Sequence, residues 1–215
     1  MLLSVAYFPP VEYFAAIAKD FAIAAKPSEV HIEACENYQK QSYRNRCRFY
    51  AAGGMETLSV PVVHENGTCK LPIREIRIDY STPWVVRTER AIISAYETSA
   101  YFDHYKDEIF SILDSGEEYL FDLDMAILRF FLHKTGVEAD IRLTDSFLPS
   151  GSSIFGEDFR AAIHPKRKNG ILADLGLEKP YFQVFAQKYG FIPNLSIMDL
   201  LFNEGPESIT YLKKL

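Results

Sequence analysis

The apolar run Leu2 to Tyr7 meets two consecutive prolines, Pro9 and Pro10, and this stop constrains the fold more than any other feature. Proline has no N–H to give to a sheet ladder and its ring fixes φ, so a buried strand over Leu2 to Tyr7 must end there. The same ring geometry suits the first turn of a helix. Glu12 to Lys19 accordingly reads as a helix, with Tyr13, Phe14, Ile17 and Ala18 on its apolar side. Phe21 to Ala25 reads as a second buried strand. Strand, short helix, strand in so few residues predicts a parallel pair with a right-handed crossover.

Further along, Tyr43 to Ala51 and Thr57 to Val63 flank Gly53–Gly54, the pattern of a β-hairpin. Ile73, Ile76 and Ile78 suggest another strand. From Pro83 the period changes: Val85, Val86, Ile92, Ile93 and Tyr96 recur at helical spacing. Tyr101 to Ile112 and Phe121 to Lys134 read as two more helices, with Gly136 a left-handed terminator for the second. Val137 to Leu143 reads as a strand. Pro149 to Gly156 opens a long irregular stretch that includes Pro165 and Asn169–Gly170. Val184 to Tyr189 and Ile197 to Asn203 read as short helices, the latter closed by Gly205–Pro206. The expectation is an α/β fold: a mixed sheet with an N-terminal strand-helix-strand unit, a β-hairpin, and a largely helical middle and C-terminal part. No linker or repeat divides the chain, so residues 1–215 are expected to form one domain.

Sixteen Phe and 13 Tyr among 215 residues are far from the composition of a disordered chain. The net charge of −6 gives no global basic footprint, and the basic clusters (Arg44, Arg46 and Arg48; Lys166, Arg167 and Lys168) are short, so nucleic acid is not an expected partner. Cys35, Cys47 and Cys69 are odd in number and lack CxxC spacing, which argues against a disulfide framework and a zinc site. No apolar run approaches the ~20 residues of a membrane span. The N-terminus lacks a basic region and a small-residue cleavage site, so stable membrane insertion is not expected and a cytoplasmic location is.

Three segments are candidates for chemistry. The first is the proline loop with Tyr7 and Glu12. Ligands of open α/β sheets gather beyond the carboxyl ends of strands, although no glycine-rich phosphate loop is present. The second is Tyr38 to Arg46, where Arg44, Asn45 and Arg46 offer donors to phosphate, sugar or carboxylate, or else form a charged edge strand that blocks aggregation. The third is Asn194 to Gly205, where Ser196 can cap a helix and Asp199 and Asn203 share one face. His31, His64, His104, His133 and His164 show no metal-ligand spacing, and no metal site is expected. His64, before Glu65–Asn66–Gly67, is the best-placed acid/base histidine. No nucleophile elbow, P-loop or dinucleotide fingerprint appears.

Taken together, Tyr7–Phe8–Pro9–Pro10 with Glu12–Tyr13–Phe14, Tyr43–Arg44–Asn45–Arg46 leading to Leu58–Ser59–Val60–Pro61–Val62, and the run Leu195 to Gly205 resemble the WbqC-like protein family. Trp84 and Tyr96 to Phe102 fit the family's helical middle. The resemblance implies a setting among genes for O-antigen and other surface polysaccharides. It also implies glycosyl transfer, or acyl or aminoacyl transfer to an amino sugar. Members commonly carry His or Gln before the first proline; here Ala6–Tyr7–Phe8 stands there, which suggests a diverged or inactive member. The leading expectation is a transferase acting on a nucleotide-activated amino sugar. Tyr7, Glu12, Arg44, Asn45, Arg46 and Asn203 would bind substrate, His64 or Asp199 would serve as acid/base, and the cofactor is left open. The alternatives are a non-catalytic ligand-binding or assembly protein of the polysaccharide machinery and, in third place, a cysteine-dependent enzyme.

Overall fold

In the computed structural model, which describes residues 1–24, 26–63, 70–152 and 154–213, strand β1 is only Leu2–Leu3. Its backbone leaves the ladder after Leu3, and Tyr7 N–H donates instead to Tyr43 O at 2.8 Å. Helix α1 spans Val11–Ala24. The strand expected over Phe21 to Ala25 is therefore a correction: residues 21–24 continue the helix, and residue 25 lies outside the described residues. Three alanines in that run favour helix over strand, and Pro27 supplies the stop. The second strand, β2, comes later, at Ser28–Ile32.

The hairpin is β3 (Arg46–Ala51) and β4 (Gly54–Ser59), antiparallel, with Ala51 opposite Gly54. Gly54 has φ +113°, a conformation that a Cβ would strain. The strand expected from Ile73 to Ile78 is also corrected. Pro72 starts a 3-10 turn over Ile73–Glu75, and only isolated bridges follow, Arg77 to Tyr119 and Val62 to Ile78. Ile73 and Ile76 are both buried, three residues apart, which fits one turn better than a strand face.

The helical middle is α2 (Trp84–Tyr96), α3 (Phe102–Leu113) and α4 (Leu120–Thr135), the last capped by Gly136 at φ +71°. Strand β5 is Ala139–Leu143. After it the chain is irregular until α5 (Ile171–Asp174), then come α6 (Ala186–Tyr189), α7 (Ile197–Glu204) and α8 (Ser208–Leu212). The three-stranded sheet runs β1-β2-β5, parallel throughout, with Leu3 opposite Ile32 and Ile32 opposite Leu143.

Apolar burial joins α1, α4 and α7 into one core. Phe14 and Phe8 both pack edge-on against Phe131 of α4, with ring centroids 6.4 and 5.7 Å away. Phe8 holds φ +43°, a conformation that costs about 1–3 kcal/mol and persists only because its surroundings fix it. Gly205 at the end of α7 has φ +52°, and a Cβ there would come within 2.5 Å of the Tyr101 ring. Among the described residues no helix is long and apolar enough to cross a membrane.

Candidate functional site

The proline loop is tied to both other segments singled out from the sequence. Val11 N–H donates to Leu195 O at 2.9 Å, Ile197 N–H to Pro9 O at 2.8 Å, and Tyr7 N–H to Tyr43 O at 2.8 Å. Three segments far apart in sequence thus meet around Pro9 and Pro10. Their side chains, however, divide between a core and two surface openings.

The larger opening is a cleft of about 510 Å³ beyond the carboxyl ends of the parallel strands. Its walls come from the segment after β2, including Glu36, Asn37 and Gln39, and from the irregular chain after β5, including Phe147, Arg160, His164 and Arg167. Two buried carboxylates, Glu36 at the cleft and Glu33 behind Arg160, fix these walls. Glu36 receives Arg44 Nε at 2.8 Å and Nη2 at 2.5 Å, and Ser4 Oγ donates to the same carboxylate at 3.1 Å. Glu33, wholly buried, accepts from Thr144 Oγ1 at 2.7 Å, from the N–H groups of Cys35 and Leu148 at 3.0 Å each, and from Arg160 Nη1 at 2.9 Å. Arg160 also grips Asp158 at 2.7 Å. Both arginines are therefore neutralised by fork-shaped pairing and act as fixed walls.

His164 stands on the far wall. Its Nδ1 accepts the Lys166 N–H at 3.1 Å, which leaves the ring proton of the neutral imidazole on Nε2. Partial burial lowers its pKa, and the charges of Arg167, Arg44 and Lys166 add to the effect. A neutral ring with Nε2–H can donate to a substrate oxygen.

The smaller opening, about 120 Å³, is lined by Gln41, Tyr43, Arg46, Arg48, Thr57, Pro165 and Lys166. Strand alternation sends Cys47 and Phe49 into the core and leaves Arg46 and Arg48 half-buried on the other face. Arg48 donates to Pro165 O and Lys166 to Gln41 Oε1, while Arg46 Nε is buried with no hydrogen-bond partner among the described residues. Among the described residues no carboxylate lines this pocket. Glu12 lies behind it, 3% exposed, accepting from Asn169 Nδ2 at 2.8 Å. Burial raises the Glu12 pKa, opposed by Asn169, Asn194 and the charge of Arg48.

Of the residues singled out from sequence, Arg44 and Arg46 line these openings and Glu12 adjoins them. Asn45 is buried at the base of the hairpin, its Nδ2 donating to Val60 O at 3.0 Å. Tyr7 is wholly buried, and its phenol is held protonated by that burial above all. Asp199 is sealed in the core, accepting from Tyr181 Oη at 2.6 Å and Gln183 Nε2 at 2.8 Å, with its pKa pushed up to about 6 by burial. Asn203 Nδ2 turns back to Asp199 O at 2.7 Å. Ser196 does cap α7, accepting from Met198 N–H at 3.2 Å. His64 and Cys69 lie outside the described residues. Among the described residues no three His, Cys, Asp or Glu side chains are grouped to hold a metal ion.

Glu33, Glu36, Arg160, His164 and Arg167 were not singled out as site residues. The H-P-K-R-K run at 164–168 was visible as a basic cluster, and its histidine and proline were the missing signal.

The WbqC-like protein family model matches residues 5–169, more than half of the chain. The chain belongs to that family. In this WbqC-like protein the matched span contains both openings, whereas the run Leu195 to Gly205 lies beyond it. The chain is similar to Mycobacterium tuberculosis "Uncharacterized protein Rv1507c", 27% identical over 201 residues, covering 82% of this chain and 84% of that one. No solved structure matches it. The residues ahead of the first proline are packed: Ala6, Tyr7 and Phe8 are each at most 3% exposed, so this loop is part of the core.

Proposed function

We propose that this WbqC-like protein is a transferase acting on a nucleotide-activated amino sugar, with glycosyl and acyl or aminoacyl transfer both within the reading. The observation that carries it is the pairing of a polar cleft of about 510 Å³ with an adjoining cationic pocket that no carboxylate lines among the described residues. A nucleotide sugar has the matching halves, a hydroxyl-rich ring and a diphosphate. Arg46, whose Nε has no partner among the described residues, Arg48 and Lys166 suit phosphate oxygens. Asn37, Gln39 and Ser150 offer neutral hydrogen bonds to a sugar. His164 lies between the two openings in sequence terms, since Pro165 and Lys166 line the pocket and His164 the cleft. The reading gives its Nε2–H the task of donating to the oxygen that gathers charge as the transferred group departs.

A second reading, a binding or assembly protein without turnover, draws on one feature. The buried carboxylates at the cleft, Glu33 and Glu36, are each committed to an arginine, so neither is free to take a proton from an acceptor amine.

The test is a thermal-shift panel of nucleotide sugars, free nucleotides and coenzyme A. A ligand at a hundred times its Kd stabilises by about 2.7 kcal/mol, a shift of roughly 5–10 °C for a chain of this size. A selective shift with one nucleotide sugar, lost in Arg46→Gln, supports the reading, and transfer assays with that donor then separate enzyme from binder. No shift from any nucleotide sugar refutes it.

A further inference from the structure

The two edges of the parallel sheet are treated differently. At the β1 edge, Leu2 N–H donates to Glu157 O at 2.8 Å and Phe159 N–H to Leu2 O at 2.9 Å, so the chain itself covers that side. Strand β5 forms the other edge, and among the described residues no strand pairs beyond it. Its ladder to β2 runs from Ser28 N–H to Glu138 O at one end and from Thr144 N–H to Ile32 O at the other. Parallel strands alternate inward and outward backbone groups, so Asp140 and Arg142 bond inward and Ala139, Ile141 and Leu143 turn their N–H and C=O outward.

We infer that this edge pairs with β5 of a second copy of the same chain, antiparallel, about a two-fold axis through Ile141. The sequence Ala-Asp-Ile-Arg-Leu is self-complementary in that register. Ile141 meets its own copy, Asp140 faces the partner's Arg142, and Ala139 faces the partner's Leu143. Because the outward-turned residues are the ones placed opposite each other, every outward N–H and C=O of the strand finds a partner. Two Asp–Arg cross-strand pairs form by symmetry, and both residues are exposed in the single chain. Within one chain Arg142 already reaches Asp140 at 2.6 Å and Glu29 at 3.3 Å, so its guanidinium lies on an acidic strip that the partner would extend.

The apolar side agrees. Opposed residues of an antiparallel pair point to one face, so the partner's Leu143 falls on the face of Ala139 and Ile141. An open groove of about 630 Å³ lies there, lined by Leu132, Val137, Ala139 and Ile141 among others. Leu143 itself is 37% exposed, a large side chain without full cover in the single chain. A symmetric pair closes on itself, leaving no further edge for growth. Charges on a bare edge strand can simply repel other strands. Here the order of the charges turns that repulsion into attraction for one partner in one register.

The experiment is sedimentation velocity on the full chain over a wide concentration range, with Asp140→Arg and Arg142→Asp alone and mixed. The wild type is expected to dimerise. Each single variant sets like charge against like at two symmetric positions and is expected to weaken the dimer about tenfold or more. An equimolar mixture of the two variants is expected to regain the dimer, because every charge then faces its opposite. Circular dichroism and melting of each variant alone report that the protomer stays folded. A wild type that is monomeric throughout, a dimer indifferent to both variants, or a mixture that stays monomeric would each overturn the inference.

Discussion

Replacing Asp199 with Asn should change stability in a way that depends on pH, with a sign that burial dictates. The carboxyl is sealed in the core, and its pKa is raised from 3.8 to about 6. A raised carboxyl pKa means the folded state holds the proton more tightly than the unfolded chain. The contribution of this group is therefore fully present below pH 3.8 and is lost as pH rises from there through about 6. A displacement of that size corresponds to about 3 kcal/mol. Asn mimics the protonated acid: its oxygen can keep accepting from Tyr181 and Gln183 through the Oδ2 position. At pH 4 the two proteins should thus have similar stability. At pH 8 the Asn variant should be the more stable by about 3 kcal/mol, or roughly 6–12 °C in melting temperature. Urea unfolding at intervals across that range reads the difference directly, and the buried Asp124, common to both proteins, cancels. A difference that is flat with pH, or an Asn variant that loses stability at high pH, would refute the assignment of Asp199 as a sealed, proton-retaining group.

Gly205→Ala should destabilise by about 3 kcal/mol or more in urea unfolding, since a Cβ there strains the backbone and meets the Tyr101 ring at 2.5 Å. Glu36→Gln should remove about 3–5 kcal/mol by the same measure, because Arg44 would remain buried without its counter-charge. Proton NMR titration should find His164 with a midpoint below 6.5, and Arg167→Gln should move that midpoint upward. A His164 midpoint unmoved by that change would remove the charge contribution ascribed to Arg167.

The hairpin was legible because Gly53–Gly54 interrupts two runs of β-prone residues, and the end of α4 was legible because Gly136 has few other uses. The run Phe21 to Ala25 misled because five apolar residues satisfy helix and strand alike, and only packing of the whole chain decides between them. Ile73 to Ile78 misled because its isoleucines fit alternation locally while Pro72 imposes a turn. In the candidate site, Arg46 could be read from the hairpin itself, although Pro165 and Lys166, which complete its pocket, stand far off in sequence. The pairing that holds the cleft wall could not. Glu33 and Arg160 stand 127 residues apart, and nothing near either announces the other. Asp199 looked available because helical spacing sets it beside Asn203, but spacing does not reveal that Tyr181 and Gln183 close over it.

The knot at Glu33 has a consequence for how this fold can diversify. One carboxylate at the end of β2 fastens Thr144, Leu148 and Arg160, so the irregular wall is riveted to the sheet at its base, and Glu157 and Phe159 tie it once more to Leu2 of β1. A wall fastened in that manner can exchange Phe147, Ser150 or the residues around Gly151 without loosening the parallel strands. New ligand preferences would then arise by rewriting the wall while the rivet and the sheet stay as they are.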